Sequence, residues 1–66
     1  MSTLGTDFSR EQERCRELIS AYEKIGPAGA FGMLHIKDVL RQADQAVISG
    51  NVVAMIRCYK MMKDCQ

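Results

Sequence analysis

Three groups of residues in this chain of 66 have types that could do chemistry. The first is a set of glycines. Gly26, Gly29 and Gly32 recur at every third position in the run Gly26-Pro27-Ala28-Gly29-Ala30-Phe31-Gly32. Glycines ahead of a helix expose backbone amides and the positive end of the helix dipole, an arrangement that can cradle a phosphate. A nucleotide-sequestering protein could be built on such a loop. Yet no Gly-Lys-Ser/Thr follows and no strand pattern precedes, so the phosphate-loop motif is incomplete. The nearest cations, His35 and Lys37, fall one turn into the next element. The plainer alternative is a connection where two helix backbones approach closely.

The second group is Cys15, His35, Cys58 and Cys65, a Cys3His set with an acceptable ligand count for zinc. The spacing argues otherwise. No C-x-x-C pair exists, Cys15 belongs to an apolar stripe, and His35 belongs to a polar one. Cys15 and Cys58 read as small core hydrophobes, and no metal or other cofactor is expected. No Ser or Cys is paired with the single His in a nucleophile–base arrangement, so no catalytic residue can be named and the chain reads as a non-enzyme. The third group is Arg57, Lys60 and Lys63 in the last helical stretch. They could reach phosphates or guanines if that stretch were the recognition helix of a helix-turn-helix repressor.

The elements that would position these groups are helices. Apolar residues make up 47% of the chain, enough for a folded domain. A chain this short buries a thin core and usually needs a disulfide, a metal or a partner copy. Three cysteines, an odd number, and an opening Met1–Asp7 stretch without a basic start or apolar run point to a reducing cytoplasm. No apolar stretch approaches the ~20 residues of a membrane span. Oligomerisation is left as the expected staple. The formal net charge of +1 gives no general attraction to nucleic acid or to an anionic membrane.

Residues 1–8 carry no period and are expected to be flexible, with 9–66 forming one helical domain. Ser9 and Gln12 fit a capping box that would open helix 1. The next residues, Arg10 to Arg14, include nothing apolar and are expected to stand outside the core. Cys15, Leu18, Ile19, Tyr22 and Ile25 then form one stripe. Gly26 and Pro27 end the helix. Helix 2 is expected from about Ala30–Gly32 to Ser49, with Met33, Ile36, Leu40, Ala43 and Val47 as a coiled-coil-like seam that Val39 and Ala46 widen at one edge. It should run antiparallel to helix 1. Gly50 ends it and Asn51 caps helix 3, which runs from about Val52 to Asp64. The apolar arc of helix 3 spans roughly 220°, far wider than the ~100° stripe that one core face requires.

That excess suggests a homodimer, packed or intertwined, with an interaction surface beside it. The expected dimer core is Leu18, Tyr22, Ile36, Leu40, Val47, Val52 and Ile56. The expected partner surface has Met55, Tyr59, Met61 and Met62 as anchors and Arg57 and Lys60 as a polar rim. Methionine adapts to varied partner surfaces. DNA binding is the weaker alternative, because the polar arc of helix 3 is narrow and contains Asp64.

Two runs carry a resemblance. One is Ala21-Tyr22-Glu23-Lys24-Ile25-Gly26-Pro27-Ala28-Gly29-Ala30-Phe31-Gly32. The other is Ala43-Asp44-Gln45-Ala46-Val47-Ile48-Ser49-Gly50-Asn51-Val52-Val53-Ala54-Met55-Ile56-Arg57-Cys58-Tyr59-Lys60. Together they resemble the small early-region proteins of Mu-like temperate phages of Pseudomonas, the group that includes the anti-activators of quorum sensing. The resemblance is one of pattern and size over roughly residues 18–63. It implies a small helical dimer made early in host takeover and working in the host bacterial cytoplasm. Such a protein would bind the DNA-binding domain of a LasR-type transcription factor and block promoter binding. It would also inhibit a type IV pilus assembly ATPase. No contact residue carries over, since no interface motif aligns with these runs.

Overall fold

Each helix boundary has a local chemical cause. In the computed structural model, which describes residues 3–66, the elements are α1 (Leu4–Ile25), a 3-10 turn (Gly26–Gly29), α2 (Ala30–Ser49) and α3 (Val52–Asp64). The described residues contain no strand, and the fold is all-α with three helices. Thr3 caps α1, its Oγ1 accepting from the Thr6 amide at 3.1 Å. At the other junction Gly50 is left-handed, with φ 67°. Its N–H donates to Val47 O and the Asn51 N–H donates to Ala46 O, each at 3.1 Å. That pair of bonds closes the last turn of α2 in a Schellman motif. The Asn51 side chain then accepts from the Ala54 amide at 3.1 Å and starts α3.

The start of α1 corrects the sequence reading. The helix begins at Leu4 and runs through Ser9, so no capping box operates there and residues 4–8 are helical, with Phe8 only 1% exposed. Residues 1 and 2 lie outside the described part of the chain. Phe8, Cys15 and Tyr22 are spaced by seven, so the apolar stripe of α1 begins a full heptad earlier than the cysteine. The charged segment also joins the packing. Gln12 donates to Asp44 on α2 at 2.7 Å, and Arg16 approaches the same carboxylate oxygen at 3.5 Å. Arg14, held by Glu11 at 3.0 Å, donates to Cys65 O at 2.9 Å and to Met62 O. A cation is thereby set on the last carbonyls of α3, where the helix dipole favours it. The Tyr22 hydroxyl donates to Gln66 O and holds the chain end against α1.

The pairing of Gln12 with Asp44 at one end, and of Tyr22 with Gly29 and Gly32 at the other, sets α1 and α2 antiparallel. The core is Phe8 and Cys15 from α1, Ile36, Val39, Leu40, Ala43 and Ala46 from α2, and Cys58, Met62 and Cys65. The buried face of α2 is thus rotated from the centre of the expected seam towards its Val39 and Ala46 edge: both are buried as expected, while Met33 is half-buried and Val47 is exposed. Two neighbours cause the rotation. A helix packed against both α1 and α3 buries the face between its two contacts, not the stripe that suits one partner.

Candidate interaction surface

Once α3 has supplied Cys58 and Met62 to the core, with Cys65 just beyond its end, its remaining residues fall into rows. Val52, Ile56, Tyr59 and Lys63 make one row by helical spacing, and Val53, Arg57, Lys60 and Asp64 make the next. In the first row Val52 is 58% exposed and Ile56 47% exposed. Tyr59 is half-buried, with the Lys63 Nζ 5.5 Å from its ring centre. In the second row Val53, Arg57, Lys60 and Asp64 are all exposed. Val47 and Ile48, at the end of α2, are exposed on the other side of the Gly50-Asn51 turn. Five aliphatic side chains therefore face outward at the α2–α3 end of the molecule. A second exposed set, Ile25, Phe31 and Leu34, sits near the glycine turn.

The expected site residues sort unevenly on this frame. Met62 is fully buried and touches the carbonyl-capping side chain of Arg14, so it cannot anchor a partner. Met55, Tyr59 and Met61 are half-buried and pack against the core, which leaves each with only an edge to offer. Arg57 and Lys60 are exposed. Of the expected dimer core, Ile36 and Leu40 are buried inside this chain, and Leu18 and Tyr22 pack half-buried against the same core. Only Val47, Val52 and Ile56 remain outward. Ile48 and Val53 were missed as surface residues. Their signal was present, because Val53 lies off the α3 stripe that carries Cys58 and Met62, and Ile48 lies off the α2 seam.

The other side of the α2–α3 pair, away from α1, is an open groove of about 570 Å³. Ala46, Ala54 and Cys58 form its floor. Arg41, Gln42, Gln45 and Ser49 stand on the α2 bank, and Arg57 stands on the α3 bank. Arg41 pairs with Asp38, which also accepts from Gln42 at 3.0 Å. Arg41 holds the Asp38 carboxyl below the usual carboxylate range, chiefly through that hydrogen bond. Arg57 has no carboxylate partner among the described residues.

The glycines prove to be packing positions. A Cβ on Gly29 would lie 2.7 Å from Tyr22 O, and one on Gly32 would lie 3.3 Å from the Tyr22 ring. The Tyr22 side chain thus occupies the space over Gly29 and Gly32, against which a phosphate would have to compete. Gly26 has φ 83°, a conformation that side-chain-bearing residues rarely adopt. Replacement of Gly29 by alanine should therefore lower stability by about 1–3 kcal/mol, the usual range for overpacking. Thermal unfolding checks this, and an unchanged midpoint would show that the α1–α2 approach is looser than described.

The cysteines do not gather around a metal. Cys15, Cys58 and Cys65 are buried as free thiols, His35 is exposed, and no group of three or more His, Cys, Asp or Glu could hold an ion among the described residues. Burial pushes the Cys15 thiol up to about 11 and raises Cys58 and Cys65 as well. The thiolate is the reactive form, so all three should be alkylated by iodoacetamide only as fast as the chain opens. A thiol that reacts at once in native protein at neutral pH would contradict this placement. The sign of the linkage is definite. The folded thiol of Cys15 lies above its ordinary 9.0, so its contribution is complete below that pH and is lost as pH rises towards about 11.

No helix among the described residues is long and apolar enough to cross a membrane. No protein-family model, curated protein or solved structure matches the chain.

Proposed function

We propose that the chain is a dimeric, non-enzymatic binding protein that acts by covering a surface of another protein. One observation carries this reading: five exposed aliphatic residues, Val47, Ile48, Val52, Val53 and Ile56, concentrated at one end of a small molecule. Contiguous apolar surface of this kind marks an interaction site in a folded domain. The row headed by Val52 and Ile56, with Val47 beside it, pairs with the same row of a second copy. The adjacent row of Val53, Arg57 and Lys60 is then free for a target. Arg14, Tyr22 and the capping bonds hold α3 and the chain end that follows it, so the rows are presented on a rigid helix and little ordering is needed on binding.

The resemblance to early phage proteins supports a more specific target, the DNA-binding domain of a LasR-type quorum-sensing regulator in the host cytoplasm, with a type IV pilus assembly ATPase as a second. The action would be anti-activation: the bound regulator no longer reaches its promoter. With a net charge of +1 the chain is no mimic of DNA, so it would act by steric cover. A DNA-binding repressor is the competing reading, favoured by the tight Gly50-Asn51 turn between α2 and α3. Against it, the outward start of α3 is Val52, Val53 and Ile56, which offers bases no hydrogen bond.

A single gel-shift series separates these readings. The regulator's DNA-binding domain on promoter DNA should be released by added chain, while the chain alone shifts no DNA. A salt-sensitive shift by the chain alone that disappears in Arg57→Ala and Lys60→Ala would establish the repressor reading. Failure to release the regulator from its promoter would remove that target, and unchanged ATP hydrolysis by the pilus ATPase in the presence of the chain would remove the other.

A further inference from the structure

The outward face of α2 carries a row that is matched end to end. Phe31, Leu34, Asp38, Arg41, Gln45 and Ile48 alternate steps of three and four, the interval at which two helices meet in a coiled coil. All six are exposed, Phe31 at 89% and Ile48 at 77%. The row lies on the reverse of α2 from the buried Ile36, Leu40 and Ala43. Its members stand in pairs about the midpoint of Val39 and Leu40: Phe31 with Ile48, Leu34 with Gln45, and Asp38 with Arg41. We propose that this row is a second contact between copies of the chain, separate from the α3 row, in which two α2 helices pack antiparallel across a two-fold axis.

The axis sets Phe31 of each copy against Ile48 of the other, and Leu34 against Gln45. Asp38 meets Arg41 on both sides of it. The Asp38–Arg41 pair within one chain does not have to break. Beside its own mirror image it makes a ring of four alternating charges, in which each guanidinium has a carboxylate on either side. The border of the row agrees in charge. Lys37 and Asp44 lie along one edge, and Lys37 has no carboxylate partner among the described residues. The two-fold brings Lys37 to within about one helical turn of Asp44 of the other copy. Gln12 and Arg16 both engage Oδ1 of Asp44, which leaves Oδ2.

Other arrangements lose the match. Two α2 helices packed parallel and in register would face Asp38 with Asp38 and Arg41 with Arg41. An antiparallel pair slipped by one heptad would set Phe31 on Arg41 and Leu34 on Asp38, or, slipped the other way, Ile48 on Asp38; either buries charge against apolar groups. The reversed order of the row has value only to a second copy, and a contact of this kind uses the same patch on both chains. With the α3 row paired as well, each chain holds two different two-fold contacts, and the smallest closed assembly is four chains. Only the Phe31–Ile48 layers are wholly apolar, and exposed ion pairs add little. The contact is therefore the weaker of the two, with a Kd of ~1 mM between single chains.

The test uses the full chain carrying Ile56→Asp, which removes the α3 contact. Sedimentation equilibrium should show a monomer at micromolar concentration and dimers forming towards ~1 mM. In that parent, Asp38→Arg, Arg41→Asp and Leu34→Asp, all at exposed positions, should each weaken association at least ~10-fold, through like charges or a carboxylate set in the contact. Mixed in equal amounts, the Asp38→Arg and Arg41→Asp chains should associate as tightly as the parent, because each supplies the charge that the other lacks. Misfolding cannot produce that recovery. A parent that stays monomeric at every concentration, a mixture no tighter than its components, or a Leu34→Asp chain that associates unchanged would overturn the proposal. A parent already dimeric at micromolar concentration would overturn the α3 reading instead, and the mixing experiment would still decide this one.

Discussion

Phe8→Ala should cost about 3–5 kcal/mol, the usual loss for truncating a fully buried phenylalanine. The whole stability of a chain of this size is of the order of 3–10 kcal/mol at ~0.05–0.15 kcal/mol per residue. The variant should therefore be unfolded or close to it at room temperature, with helical circular dichroism and cooperative melting largely lost. The reason is the position of the ring. Phe8 is one of the largest side chains to be completely enclosed, together with Ile36, Met62 and Cys15. It seals the end of the core where α1 passes the C-terminal part of α2. If Phe8→Ala melted like wild type, the first two turns of α1 would be dispensable, and residues 1–8 would behave as the flexible tail that their lack of period suggests.

The second large effect is on association. Ile56→Asp should leave the fold intact, because the side chain is already 47% exposed in one chain. It should nevertheless abolish self-association, because the carboxylate would be desolvated at the centre of an apolar contact without a partner. A charged group left unpaired in a buried interface costs about 3–5 kcal/mol, which corresponds to more than a hundredfold in affinity. Val52→Asp, one turn away on the same row, should act the same way. Lys63→Asp, at the wet end of the row, should have a small effect. Circular dichroism separates loss of association from loss of fold. An Ile56→Asp protein that stayed dimeric would place the interface elsewhere, with the Ile25, Phe31 and Leu34 cluster as the next surface to alter.

Much of the architecture was legible from local chemistry. Ser49-Gly50-Asn51 marked the end of one helix and the cap of the next, and Gly26-Pro27 marked the other break, because these residues act through their own backbone and nearest neighbours. The start of α1 was not legible for a related reason. Ser9 is a plausible cap, but Thr3 is another, and only the burial of Phe8 against α2 and α3 decides between them. The charged run after it misled in the same direction. Gln12, Arg14 and Arg16 look like solvated residues in sequence, yet each bonds to a group 28 or more residues away.

The surface of α3 was the least legible. The width of its apolar arc was evident, and so was the consequence that some of it must stay outside a three-helix core. Which edge stays outside depends on where α1 crosses, a long-range fact. Once Arg14 and Tyr22 fix the C-terminal end of α3 to α1, Cys58, Met62 and Cys65 turn inward and Val52, Val53 and Ile56 turn out. Methionine content pointed to an adaptable interface. In this fold the sulfur-bearing side chains of α3 instead fill the space between helices, and the branched aliphatics face outward.

If the outward aliphatic row at the α2–α3 end is an interface, the chain must associate through it. Sedimentation velocity of the intact chain across the micromolar range tests it most directly. The wild-type chain should sediment as a dimer and Ile56→Asp as a folded monomer. A wild-type chain that sediments as a monomer at every concentration, and identically to Ile56→Asp, would contradict it.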